Sequence, residues 1–240
     1  MHDAVRQLAL QIRLDDAATF DNFFVAQANQ EVVDYLREST RLQQFSYLWG
    51  ATGAGCSHLL QAVCHQFDAR GASSFYLPLE QFLDYSPTIF EGLESFDLVC
   101  LDALQAIAGQ QAWELALFSL FNRLRDSGTR LVVTAHTGPR QLSVRLPDLL
   151  SRLQSGVVFP LHALSDEDKR AALQLRATQR GIALSEEVLH YVLQRHERSM
   201  PSLFGLLERL DQFSLQTKRR ITVPLVREFM DMGGEPAKPA

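Results

Sequence analysis

The stretch Tyr47-Leu-Trp-Gly-Ala-Thr-Gly-Ala-Gly-Cys-Ser-His-Leu-Leu60 constrains this 240-residue chain more than any other. The apolar run 45–49 reads as a buried strand, Gly50, Gly53 and Gly55 follow, and the apolar periodicity over 59–67 reads as a helix. The spacing Gly50-x4-Gly55-x-Ser57 is that of a phosphate-binding loop, in which glycines let main-chain N–H groups converge on a pyrophosphate. The partial positive charge of a helix start acts on the same anion. Gly50, Ala51, Thr52, Gly53, Ala54, Gly55, Cys56, Ser57 and His58 are therefore the candidate nucleotide cradle. Cys56 stands where such loops carry a lysine. The sequence thus asks what a phosphate cradle without its cation is for.

The surrounding pattern answers in part. Apolar runs at 72–77, 96–102, 130–135 and 157–160 read as further strands, and helical periodicity covers 28–39, 113–126 and 146–153. Continuous runs, as opposed to alternating ones, are those of strands buried on both faces, and strand–helix alternation predicts a parallel five-stranded α/β sheet flanked by helices. Pro78 is expected to stop the second strand, and Ser127-Gly128 the long helix. Beyond residue 161 the strands cease. Ser165-Asp-Glu-Asp168 reads as a helix N-cap with its reciprocal acid, and helices are expected over 185–194, 202–216 and 224–231. The division is then a peptide at 1–13, an α/β domain at 14–160, a small all-helical domain at 161–232 and a disordered tail at 233–240.

Asp102 ends the third strand, where a carboxylate can organise the Mg²⁺ that accompanies nucleotide phosphates, with the Ser57 hydroxyl as the second ligand. The alternative reading of Asp102 is a strand-ending turn residue. Ala103 follows it, so the second acid that would activate water is missing. Phe20, Phe23, Phe24 and Val25 precede the first strand and read as core or as one wall of a base pocket, and both can hold.

The formal net charge of −5 and pI near 5.8 argue against a broad DNA-binding face. Lys218-Arg219-Arg220 reads as a solvated helix end. Neither a leader-like start nor an apolar stretch of ~18 residues occurs, so a cytoplasmic protein is expected, with no membrane partner. Cys64 and Cys100 read as small core residues, and Cys56, Cys64 and Cys100 form no metal spacing. Residues 1–13 alternate apolar and polar positions; Gln7, Leu8, Leu10 and Ile12 fit either a stray terminal strand or a docking peptide with one polar anchor and aliphatic knobs.

These features together resemble the AAA+ family in its DnaA-related branch, and within it the Hda family of shortened regulators. The residues that carry the resemblance are Tyr47 to Gly55, Asp97-Leu-Val-Cys-Leu-Asp102 with Ile107-Ala-Gly109, Leu146-Pro-Asp-Leu-Leu-Ser-Arg-Leu153 and Leu164-Ser-Asp-Glu-Asp-Lys169. It spans the chain from Gln7 to about Met230, with no helix-turn-helix module after the lid. The resemblance implies an AAA+ P-loop domain plus a small helical lid. It makes Gln7, Leu8, Leu10 and Ile12 a peptide for the sliding clamp, the beta subunit of DNA polymerase III, and Arg152 an arginine finger. It implies contact with the initiator DnaA, DNA reached only through the clamp, a nucleoid-associated location, and ADP as the bound diphosphate. It leaves self-association open.

The departures from the family pattern are Cys56, Ala103, His136 in the sensor position of the fourth strand, and Pro201 about where the lid offers a sensor arginine. Four groups that organise a γ-phosphate are thus replaced. A main-chain cradle still holds α- and β-phosphates without side chains. The expectation is diphosphate binding with little or no intrinsic hydrolysis, and a trans-acting role. The alternative is a self-sufficient AAA+ ATPase of helicase-loader or initiator type, with Arg140 or Arg145 compensating for Cys56.

Overall fold

The computed structural model describes residues 14–38, 40 and 42–233. The expected docking peptide, Gln7 to Ile12, and residues 234–240 of the expected tail lie outside the described residues. The chain divides into two units, at 1–163 and 164–240.

The first unit is built on a parallel sheet of β1 (Phe45–Trp49), β2 (Ser74–Pro78), β3 (Leu98–Asp102), β4 (Arg130–Ala135) and β5 (Val157–Pro160). Their spatial order is β2-β3-β4-β1-β5. The three inner strands are almost wholly buried, as their unbroken apolar runs require. Successive side chains point to opposite faces, so each strand feeds two cores. Tyr47, Val99, Leu101, Leu131 and Val133 join one core. Leu48, Leu98, Cys100 and Val132 join the other.

Helices α1 (Gln30–Arg37) and α2 (Cys56–Asp68) cover the second core through Val32, Val33, Leu36, Leu59, Leu60, Val63 and Phe67. Helices α3 (Gln111–Ser127) and α4 (Pro147–Ser155) cover the first through Trp113, Leu117, Leu120, Phe121, Leu124, Leu149 and Leu153. Gly128 at φ 80° ends α3, the left-handed cap that glycine adopts without strain.

Two expectations shift. Pro78 does not merely stop β2 but is its last residue, paired in register with Asp102. That position is tolerable because β2 is, among the described residues, an edge strand whose outer side needs no donor. The first helix begins at Gln30, after a single 3-10 turn over Gln27–Asn29. Asn29 is fully buried there, donating to the His162 carbonyl at 2.9 Å and accepting from its N–H at 2.8 Å.

The second unit holds α5 (Asp166–Gln179), α6 (Glu186–Arg195), α7 (Met200–Thr217) and α8 (Val223–Asp231). Ser165 and Asp168 form the reciprocal capping box of α5. Leu173, Leu189, Val192, Leu203, Leu207, Leu210, Leu225 and Phe229 make the core, with Phe213 and Phe229 rings 5.3 Å apart. Lys218, Arg219 and Arg220 follow the end of α7 and are exposed; Arg219 pairs with Glu228 at 2.8 Å. Among the described residues no helix is long and apolar enough to cross a membrane.

Candidate nucleotide site and the remote arginine

The loop between β1 and α2 is shaped by what its glycines lack. A Cβ on Gly50 would lie 2.5 Å from the Leu161 carbonyl oxygen, and one on Gly55 would lie 2.7 Å from the Phe23 ring. Gly53 and Gly55 also have φ of 82° and 106°, in the region glycine enters freely. Main-chain bonds fix the two ends: Gly50 N–H donates to Ala135 at 3.1 Å, and Ala54 N–H to Ala51 at 2.9 Å. Helix α2 starts at Cys56 with Gly55 as its N-cap, and no side chain caps it. The N–H groups of its first turn therefore face outward from a positive helix end, which is the arrangement an anion completes.

Residues before β1 line the same helix. His58 Nε2 pairs with the Thr19 carbonyl at 2.8 Å, and its ring lies 5.3 Å from that of Phe23. Phe20 instead enters the core, beneath the Arg37 guanidinium. Phe23 packs against the same core from outside and also borders the loop at Gly55.

Cys56 is half-buried, and its thiol pKa is pushed up to about 12 by burial and then by the Asp102 carboxylate, with a main-chain hydrogen bond opposing. It is a neutral thiol at physiological pH, in spite of its place at a helix N-terminus. Cys64 and Cys100 are fully buried in the core.

Asp102 is buried at the end of β3 with both carboxylate oxygens engaged. Tyr76 donates to Oδ2 at 2.7 Å, and the Thr134 hydroxyl donates to Oδ1. Burial, and then the charge and hydrogen bond of Asp102, raise the Tyr76 phenol far above its ordinary range. Ser57 is exposed at the start of α2. Among the described residues no group of three or more His, Cys, Asp or Glu side chains is placed to hold a metal.

The loops after β3 and β4 are joined by two side chains. Gln105 accepts from the His136 N–H at 3.2 Å, and its amide lies 3.2 Å from His136 Nε2 and 3.1 Å from Glu80. Glu114, buried in the first turn of α3, accepts from the N–H groups of Gly109 at 2.7 Å, Arg145 at 3.0 Å and Leu146 at 2.8 Å. Neither role is among the expectations drawn from the sequence. The signal for Glu114 was present, since residues 114, 117, 121 and 124 follow one helical stripe, all apolar but the first.

Arg152 lies elsewhere. It lines a pocket of about 490 Å³ with Gln44, Phe45, Phe121, Leu131 and Val157. Phe45, Leu131 and Val157 begin or nearly begin β1, β4 and β5, whereas the glycine loop follows the last residue of β1. In a parallel sheet these are opposite ends. Arg140 is exposed, and Pro201 sits in the first turn of α7.

A family model described as the bacterial DnaA ATPase domain matches residues 14–160, and one described as the lid domain of Hda matches residues 166–230. Domain III of the replication initiation protein DnaA from Thermotoga maritima superposes with a TM-score of 0.78 at 24% identity, over 95% of this chain and 100% of that one. AMPPCP-bound DnaA from Aquifex aeolicus gives 0.70 at 20% identity, over 83% and 67%. The RuvB Holliday junction branch migration motor of Thermotoga maritima gives 0.67 at 15% identity, over 89% and 73%. All three share the fold.

Proposed function

Because the chain belongs to the DnaA-related AAA+ family, with a lid segment of the Hda type, we propose that it is a nucleotide-bound regulator of replication initiation. In this reading it docks on the DNA-loaded sliding clamp through Gln7, Leu8, Leu10 and Ile12 and presents Arg152 to the ATP held by the initiator DnaA. The initiator is thereby converted to its diphosphate form and kept from firing again.

The observation that carries the reading is the separation of Arg152 from the glycine loop, at opposite ends of the sheet. An arginine so placed serves a nucleotide on another molecule. Supplied in trans, such a residue raises phosphoryl-transfer rates by roughly 10³–10⁵.

The chain's own loop suits a nucleoside diphosphate, with ADP the family's choice. Gly50 and Gly55 let the loop pack closely against Leu161 and Phe23, and the first turn of α2 offers its N–H groups. The neutral Cys56 thiol adds no charge for a γ-phosphate. Ala103 offers no base for water. Bound there, the diphosphate supplies two charged groups that complete the uncapped helix end. Ser57 and Asp102 would hold a Mg²⁺ arriving with it. Tyr76 and Thr134 each donate to one Asp102 oxygen, which orients the carboxylate and leaves a lone pair on each oxygen for the metal or a water bound to it.

The test measures ATP turnover by DnaA in the presence of clamp loaded on DNA and this chain. Arg152→Ala should abolish the stimulation, and replacing Gln7, Leu8 and Leu10 together by Ala should abolish the clamp requirement's effect by removing docking. Unchanged stimulation with Arg152→Ala would sink the trans role. Mass spectrometry of the ligand released from purified protein checks the diphosphate.

A further inference from the structure

We propose that Phe121 is the positioning residue for Arg152, an assignment that rests on the trans role proposed above. The Arg152 guanidinium carbon lies 5.9 Å from the centroid of the Phe121 ring. Among the described residues no carboxylate lies within ion-pair distance of that guanidinium, so the ring's negative face is its partner. Phe121 is itself buried on α3. Its ring meets that of Phe45 at 4.9 Å and 67°, the edge-on contact that aromatic rings favour. Phe45 in turn occupies space that only a glycine leaves: a Cβ on Gly156 would fall 2.2 Å from Phe45 Cδ1 and 2.6 Å from its carbonyl oxygen.

The result is a stack running from Gly156 through Phe45 and Phe121 to Arg152, across the amino ends of the strands and two helices. An arginine held only by a carboxylate would have to break an ion pair before meeting a phosphate. One resting on a ring face has no carboxylate occupying its N–H donors. It also loses fewer conformers when a partner arrives. The ring face thus sets direction without competing for the donors.

The experiment is the clamp-dependent stimulation of DnaA ATP hydrolysis, titrated in this protein to separate its maximal rate from its half-saturating concentration. Phe121→Leu should lower the maximal rate about threefold to tenfold and leave half-saturation unchanged. Phe121→Tyr, which keeps the ring, should retain the wild-type rate. Pentafluorophenylalanine at position 121 keeps the shape and reverses the ring's charge distribution; it should behave like Leu and provides the readout if the Leu variant does not fold. Wild-type maximal rates with the Leu and fluorinated variants, in a system where Arg152→Ala is inactive, overturn this assignment alone. Full activity of Arg152→Ala overturns the trans reading together with it.

Discussion

Thr134, on β4, donates its hydroxyl to Asp102 on the neighbouring strand and accepts the Ala103 N–H on the same oxygen at 3.0 Å. One side chain therefore satisfies two buried groups in the turn that leaves β3. Thr134→Val keeps the shape and strands both. Leaving buried polar groups unpaired costs about 1–3 kcal/mol, and we expect about 2 kcal/mol of lost stability in urea denaturation. Thr134→Ser should stay near wild type.

Cys56→Lys restores a cation to the phosphate loop beside the Asp102 carboxylate. Charge-assisted contacts to phosphate are the strong ones, so affinity for a non-hydrolysable nucleoside triphosphate should rise about tenfold, read by calorimetry. Turnover by the isolated chain should remain at background, because Ala103 still supplies no base. A triphosphate affinity equal to wild type would count against a cradle that opens on the γ-phosphate.

The same thiol makes stability sensitive to alkali. Its pKa is raised from the ordinary thiol range to about 12 in the fold. The folded protein therefore holds a proton that the unfolded chain releases, and stability falls as pH rises from about 9 toward about 12. Cys56→Ala should flatten that part of the stability profile relative to wild type. Tyr47 and Cys100, raised mainly by burial, keep their share of the decline in both proteins.

Ala103 has φ 64° and ψ 55°, a left-handed conformation that costs a residue with a Cβ about 1–2 kcal/mol. Ala103→Gly removes the clash at some cost in unfolded-state entropy. A net gain of about 1 kcal/mol, seen as a rise in Tm of about 2–4 °C for a chain of this size, is expected by calorimetry. An unchanged or lower Tm would mean that the turn is held without strain.

Glu114→Gln places an amide N–H₂ among three main-chain donors. Gln keeps one acceptor oxygen, so at least one of the Gly109, Arg145 and Leu146 N–H groups loses its partner. Hydrogen bonds to a charged acceptor are worth about 1.5–3 kcal/mol each, and a loss of about 2–4 kcal/mol should lower the denaturation midpoint with its slope unchanged.

The order of strands and helices was readable because its signal is local. Unbroken apolar runs marked the inner strands, Gly128 marked a helix end, and Ser165 with Asp168 marked a start. The phosphate loop was readable because glycine spacing is itself the geometry. Reciprocal bonds made across long sequence separations were not. Asn29 meets His162 across 133 residues, and nothing around Asn29 in the chain announces it. The bonds from Tyr76 and Thr134 to Asp102 come from the strands on either side of it, a pairing fixed by sheet order alone. Arg152 was assigned by resemblance; the ring beneath it comes from a helix some thirty residues earlier and became visible only in space.

Pro78, closing the outermost strand, has a consequence for how the molecule behaves among others. An open sheet border invites a stranger's backbone to zip on, donor against acceptor. At that corner the border has no amide hydrogen to offer, and the invitation lapses after a few residues. Crowded beside copies of itself, the chain thus limits how far a shared ribbon could extend past this corner.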